Sequence, residues 1–216
     1  MNYAKLIDHT LLKADAKKED IIKLCKEAKD YGFKTVCIQP SYVSLAKEEL
    51  KDSDVEICTV IGFPLGQNTT SVKVFEAIDA INNGADEIDM VINISKLKDH
   101  DDEYVTNEIK AIKKAINNHV LKVIIETCLL TDEEKERACK CVIDAKAEFV
   151  KTSTGFSIHG ATVEDVKLLK DCVKDKALVK AAGGVRSKDD LIKMVEAGAS
   201  RIGTSSGTKL VASILE

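Results

Sequence analysis

Short apolar runs rich in β-branched residues recur along the chain, each followed by a longer stretch in which apolar positions return every three to four residues. The clear runs are KTVCIQ (34 to 39), EICTVIG (56 to 62), EIDMVIN (87 to 93), LKVIIET (121 to 127), FVKTST (149 to 154), LVKAA (178 to 182) and RIGTSS (201 to 206). An eighth, LIDHT (6 to 10), is weaker on its own but in phase with the others. Eight strands, each with its helix, predict an α/β fold, a TIM (β/α)8 barrel forming a single domain over residues 1–216.

Cap residues support that phase. Thr131 with Glu134, Thr162 with Asp165 and Ser187 with Asp190 each read as a capping box just after a strand, which places strand C-termini and helix N-termini at one end. Gly32, Gly84 and Gly198 precede strands, as expected of glycines that stop helices. An open doubly wound sheet is the alternative, disfavoured because no G-x-G-x-x-G opens a helix after the first strand.

Composition narrows the class. A hydrophobic fraction of 44% beside 31% charged residues is enough for a packed core, and a net charge of -4 argues against a nucleic-acid partner. No apolar run reaches 18 residues, and MNYAKLIDHT lacks the pattern of a signal peptide, so a cytoplasmic protein without a membrane partner is expected. The seven cysteines contain no C-x-x-C and read as reduced thiols, with Cys37 and Cys58 as small buried hydrophobes in strands.

Two lysines break the pattern. Lys151 in FVKTSTGF and Lys180 in LVKAAGGVR lie inside apolar strand runs, where an unpaired lysine is rarely buried. Asp89 sits likewise between Ile88 and Met90. These groups could form a structural ion network, but two lysines against one aspartate leave an excess positive charge, which favours function. A nucleophilic lysine must lose its proton, and moving it from a reference pKa of about 10.4 to about 7 requires roughly 4 kcal/mol. A second ammonium about 4 Å away at an effective dielectric near 20 supplies about that much.

The loops after the last two strands are rich in backbone donors: Gly183-Gly184-Val185-Arg186-Ser187 and Gly203-Thr204-Ser205-Ser206-Gly207. TIM barrels commonly bind phosphate there, and Arg186 is one of only three arginines, so it is expected to hold phosphate. Arg201 precedes its strand and is expected at the opposite end of the barrel. The four histidines have no H-x-H or H-E-x-x-H spacing, so a lysine imine is preferred to zinc.

KTSTGF, KAAGGVR, GADEIDMVIN, IDHTLL and VIIET together resemble the deoxyribose-phosphate aldolases, metal-independent class I aldolases, over nearly the whole chain. The resemblance implies reversible cleavage of 2-deoxy-D-ribose 5-phosphate to acetaldehyde and D-glyceraldehyde 3-phosphate, with no cofactor and with a possible homodimer. It makes Lys151 the Schiff-base lysine, Lys180 the lysine that perturbs it, and Asp89 the proton shuttle. It places Gly155, Gly183, Gly184, Arg186, Gly203, Ser205 and Ser206 around the phosphate. Asp8 would contact a substrate hydroxyl, and Cys37 would lie close to the site. Many relatives carry a C-terminal tyrosine that assists proton abstraction; this sequence ends in Ala212-Ser213-Ile214-Leu215-Glu216, so Asp89, Lys180 and water are expected to suffice. The alternatives are another Schiff-base aldolase or transaldolase with a different donor, and a catalytically silent phosphosugar-binding barrel.

Overall fold

The computed structural model describes residues 2–215, with side chains through Ser213. The expectation about the terminal stretch therefore falls partly outside the described residues. The order is β1 (Ile7–Leu11), α1 (Lys18–Tyr31), β2 (Thr35–Ile38), α2 (Val43–Leu50), β3 (Glu56–Ile61), α3 (Thr70–Asn82), β4 (Glu87–Val91), α4 (Ile94–Lys98), α5 (Asp102–Ile116) and β5 (Val120–Ile124). It continues with α6 (Asp132–Asp144), β6 (Phe149–Lys151), α7 (Val163–Val173), β7 (Leu178–Ala182), α8 (Lys188–Glu196), β8 (Arg201–Thr204) and α9 (Gly207–Leu215). All neighbouring strands are parallel, and β1 pairs with both β2 and β8. The barrel is closed, which rules out the open sheet.

Each strand lies between a ring of helices and the barrel interior, so both its faces are covered. On β4, Ile88 and Met90 are fully buried and alternate with Glu87 and Asp89. A period of two therefore sends one set of side chains to the opposite face from the other. The helices match with apolar stripes: Val105, Ile109, Ile112 and Ile116 of α5 fall on one buried face. Burying an Ile of this kind stabilises by roughly 1.5–3 kcal/mol.

The caps set the end at which helices begin. Thr131 and Ser187 form reciprocal boxes with Glu134 and Asp190. Thr162 accepts from the Asp165 amide without the return bond, because the Asp165 carboxylate pairs instead with Lys135 at 2.7 Å. Gly32 closes α1 in the left-handed region, φ 64°, as its sequence position predicts.

A second buried charge pair lies outside the barrel. Lys73 of α3 bonds to Glu108 of α5 at 2.9 Å and to the Val91 carbonyl at 2.8 Å, while Glu108 accepts from the Asn93 amide at 3.1 Å. Each partner satisfies the other, and together they fasten the C-terminal end of β4 to two helices.

Candidate active site

The register of the strands assembles the charges. Lys151 of β6 stands beside Lys180 of β7, and Asp89 of β4 beside Lys122 of β5. Asp89 is the hub: its Oδ2 accepts from Lys151 Nζ and Lys180 Nζ, each at 2.7 Å, and its Oδ1 accepts from Lys122 Nζ at 2.9 Å. Lys180 also reaches Asp8 at 2.5 Å, and Lys122 reaches Glu87 at 2.6 Å. Arg201 bonds to both Asp8 and Glu87 at 2.8 Å. The network thus runs through the barrel as Arg201, then Asp8 and Glu87, then Lys122 and Lys180, then Asp89, then Lys151.

Burial would raise the Asp89 carboxyl, but Lys122, Lys151 and Lys180 more than offset it and hold it well below the usual carboxylate range. Burial likewise disfavours the Lys180 ammonium, yet Asp8 and Asp89 keep its proton bound well above the ordinary lysine value. Lys122 is held charged in the same way, against its burial, by Asp89 and the groups around it.

A cavity of about 350 Å3 opens at the C-terminal ends of the strands. Lys151 lines it and is 2% exposed, whereas Lys180 is wholly covered. Gly155, Gly183, Gly184, Arg186, Gly203 and Ser205 line the same cavity. Ser206 lies beside it at the start of α9, where its amide donates to Thr204 Oγ1 at 3.0 Å. Gly183, at φ 79°, packs against Gly160 so closely that a Cβ on Gly160 would fall 2.2 Å from the Gly183 carbonyl oxygen. Only glycine allows that contact, which seats the β6 loop on the β7 loop.

Other expected residues are buried in the barrel. Asp8 is fully buried and pairs with Lys180 at 2.5 Å, as part of the network. Cys37 is also fully buried, in the barrel interior with Cys58, Val60 and Leu12; the hydrogen bond with Cys58 draws its thiol down in pKa, while burial pushes the Cys58 thiol up. Arg201 does begin its strand, but its guanidinium turns inward and is part of the network. The charges are not two lysines against one aspartate: four cations meet three carboxylates.

Lys122, Glu87, Lys13 and Glu126 were not anticipated. Lys122 carries the signal that marked Lys151, a lysine inside an apolar strand. Glu87 begins its strand and reads as solvated. Lys13, in the loop after β1, lines the cavity opposite the glycine loops without any motif to mark it.

A closed barrel with a lysine lining a C-terminal cavity and bound to a buried carboxylate is an arrangement suited to chemistry through a lysine amine. The profile of the DeoC/LacD family aldolases matches residues 3–211, and the chain belongs to that family. It is 59% identical over 211 residues to the deoxyribose-phosphate aldolase of Finegoldia magna, covering 98% of this chain and 99% of that one. It is 58% identical over 214 residues to that of Thermoanaerobacter sp. (98% and 96% covered). The deoxyribose phosphate aldolase of Aeropyrum pernix, described as a unique tetramer, superposes with a TM-score of 0.93 at 38% identity, covering 99% and 91% of the two chains.

Proposed function

We infer that this chain is a class I aldolase that reversibly cleaves 2-deoxy-D-ribose 5-phosphate to acetaldehyde and D-glyceraldehyde 3-phosphate through a Schiff base on Lys151. The observation that carries the assignment of the nucleophile is the difference in access: Lys151 meets the cavity and Lys180 does not.

The chemistry follows from that placement. The Lys151 amine attacks the C1 aldehyde of the open-chain sugar phosphate, and loss of water gives an iminium. Removal of the C3 hydroxyl proton, relayed toward Asp89 through water, breaks the C2–C3 bond and drives its electron pair into the iminium. Glyceraldehyde 3-phosphate leaves, and an enamine remains on Lys151. Protonation at C2 and hydrolysis then release acetaldehyde and the free amine.

The glycine loops after β7 and β8, with Arg186 and Lys13 on the cavity wall, suit the phosphate. The same reading takes acetaldehyde and a phosphosugar as the small-molecule partners, and a cytoplasmic location. It includes a homodimer, for which Val72, Phe75 and Ile78, exposed on α3, offer an apolar surface. Among the described residues, no helix is long and apolar enough to cross a membrane.

Borohydride reduction in the presence of acetaldehyde, followed by peptide mapping, tests the central claim. The adduct is expected on Lys151; trapping with pyruvate or dihydroxyacetone but not acetaldehyde would assign the barrel to another donor, and turnover without any adduct would overturn the mechanism.

A further inference from the structure

We propose that Glu126, in the loop after β5, is a positioning residue that clasps the cavity wall at Thr154 and thereby fixes how the phosphorylated substrate is held. The proposal rests on the reading of function above and adds to it a residue that touches none of the reacting atoms.

Two features of Glu126 are costly for the fold. It adopts φ 54° and ψ 67°, the left-handed region that a long side chain enters only against steric resistance. Its carboxylate is also buried, with 2% exposure, and among the described residues no Lys, Arg or His nitrogen lies within 4.0 Å of it. A buried carboxylate without a cation depends on hydrogen bonds for compensation.

All but one of those bonds come from Thr154, in the loop after β6. The Thr154 amide donates to both carboxylate oxygens at 3.3 Å, and the Thr154 hydroxyl donates to Oε2 at 2.5 Å. The same hydroxyl accepts from the Phe156 amide at 3.0 Å. Cys128 adds a weaker contact at 3.9 Å. On either side of Glu126 the backbone keeps to the barrel ladder, with the Ile125 amide on the Lys151 carbonyl at 3.1 Å and the Thr127 amide on the Thr152 carbonyl at 2.9 Å. The left-handed turn at a single residue, set between two ladder bonds, is what brings the Glu126 carboxylate to Thr154.

The far end of that loop is anchored separately. The Ala161 amide donates to the carbonyls of Ala182 and Gly183, each at 3.0 Å, and Gly160 rests on Gly183. Thr154, Gly155 and Phe156 therefore span from the Glu126 clasp to the glycine loop that faces the phosphate, and all three line the cavity. Lys151 is held by other means, through β-ladder pairing and Asp89. Loosening the clasp should disturb the wall while leaving the nucleophile in place.

The test uses Glu126→Gln, which keeps the shape but removes the charge that strengthens the Thr154 bonds and puts a donor NH2 in place of one acceptor oxygen, with Thr154→Val, Thr154→Ser and the double variant. In Glu126→Gln, KM for 2-deoxyribose 5-phosphate should rise about tenfold, while borohydride trapping of acetaldehyde on Lys151 stays within about threefold of the unaltered protein. Thr154→Val should show the same split and Thr154→Ser should largely restore KM. The double variant should be no worse than about the poorer single one, because both changes break one clasp. Effects that multiply, trapping that falls in step with cleavage, or an unchanged KM in Glu126→Gln would overturn the proposal. Thermal melting of every variant separates loss of the fold from loss of the clasp. Cleavage by the unaltered protein in the same assay tests the reading of function, whereas the ratios between variants test the clasp.

Discussion

Lys151 and Lys180 donate to one and the same oxygen, Oδ2 of Asp89, each at 2.7 Å. Two lysines on adjacent strands thus share a single acceptor, and only the first meets the cavity. Removing each should therefore give different results. Lys151→Ala should form no borohydride adduct at any pH. Lys180→Leu takes from Asp8 and Asp89 the cation that they share. That variant should be nearly inactive, yet any residual borohydride adduct should still map to Lys151. An adduct mapped to Lys180 in the unaltered protein would reverse the two roles.

Arg186 lines the cavity beside Gly183 and Gly184 and makes no ion pair among the described residues, so its guanidinium is available to a ligand. Arg186→Ala should raise KM for the phosphorylated sugar about 10- to 100-fold and change that for unphosphorylated 2-deoxyribose little, since only the former loses a charge-assisted contact. Steady-state kinetics on the two sugars decides it. Equal losses would remove Arg186 from the phosphate site.

Lys122 is the cation that compensates Glu87 and Asp89 from within the barrel. Lys122→Met leaves a buried carboxylate short of a partner, and urea unfolding should show a loss of about 3–5 kcal/mol. A change below about 1 kcal/mol would mean that the network tolerates an uncompensated carboxylate.

The pH dependence of stability follows from the same network. Asp8, Glu87 and Asp89 all titrate below their ordinary values in the folded chain, because the cations around them outweigh their burial. Their contribution is present above the unfolded carboxylate values of about 4 and is lost as pH falls through the lower folded ones, with proton uptake on unfolding. Lys122 and Lys180 are shifted upward, so their contribution is present below about 10.5 and is lost as pH climbs through their folded values. Melting temperature should be flat from about pH 5 to 9 and fall on both sides. In Asp89→Asn the acid limb should be shallower, by about one proton at most. An acid limb unchanged in that variant would assign the proton uptake to other groups.

Alternation of short apolar runs with amphipathic segments is local, and it was enough to determine eight strands, their helices and the parallel barrel. Lys151, Lys180 and Asp89 stood out in the sequence because a charge inside an apolar run is itself a local anomaly. Period-two alternation cannot say which anomalies meet, since that depends on the stagger between strands. The register set Lys151 beside Lys180 and Asp89 beside Lys122, and the Arg201 guanidinium, expected at the far end of the barrel, became the buried partner of both Asp8 and Glu87. Asp8 and Cys37 are fully buried, because which side chains a closed barrel covers depends on strand tilt and closure that no single strand encodes. Glu126 was the least legible. Its role depends on one left-handed residue that aims its carboxylate at Thr154, 28 positions away, and neither that turn nor that distance leaves a mark in the order of the residues.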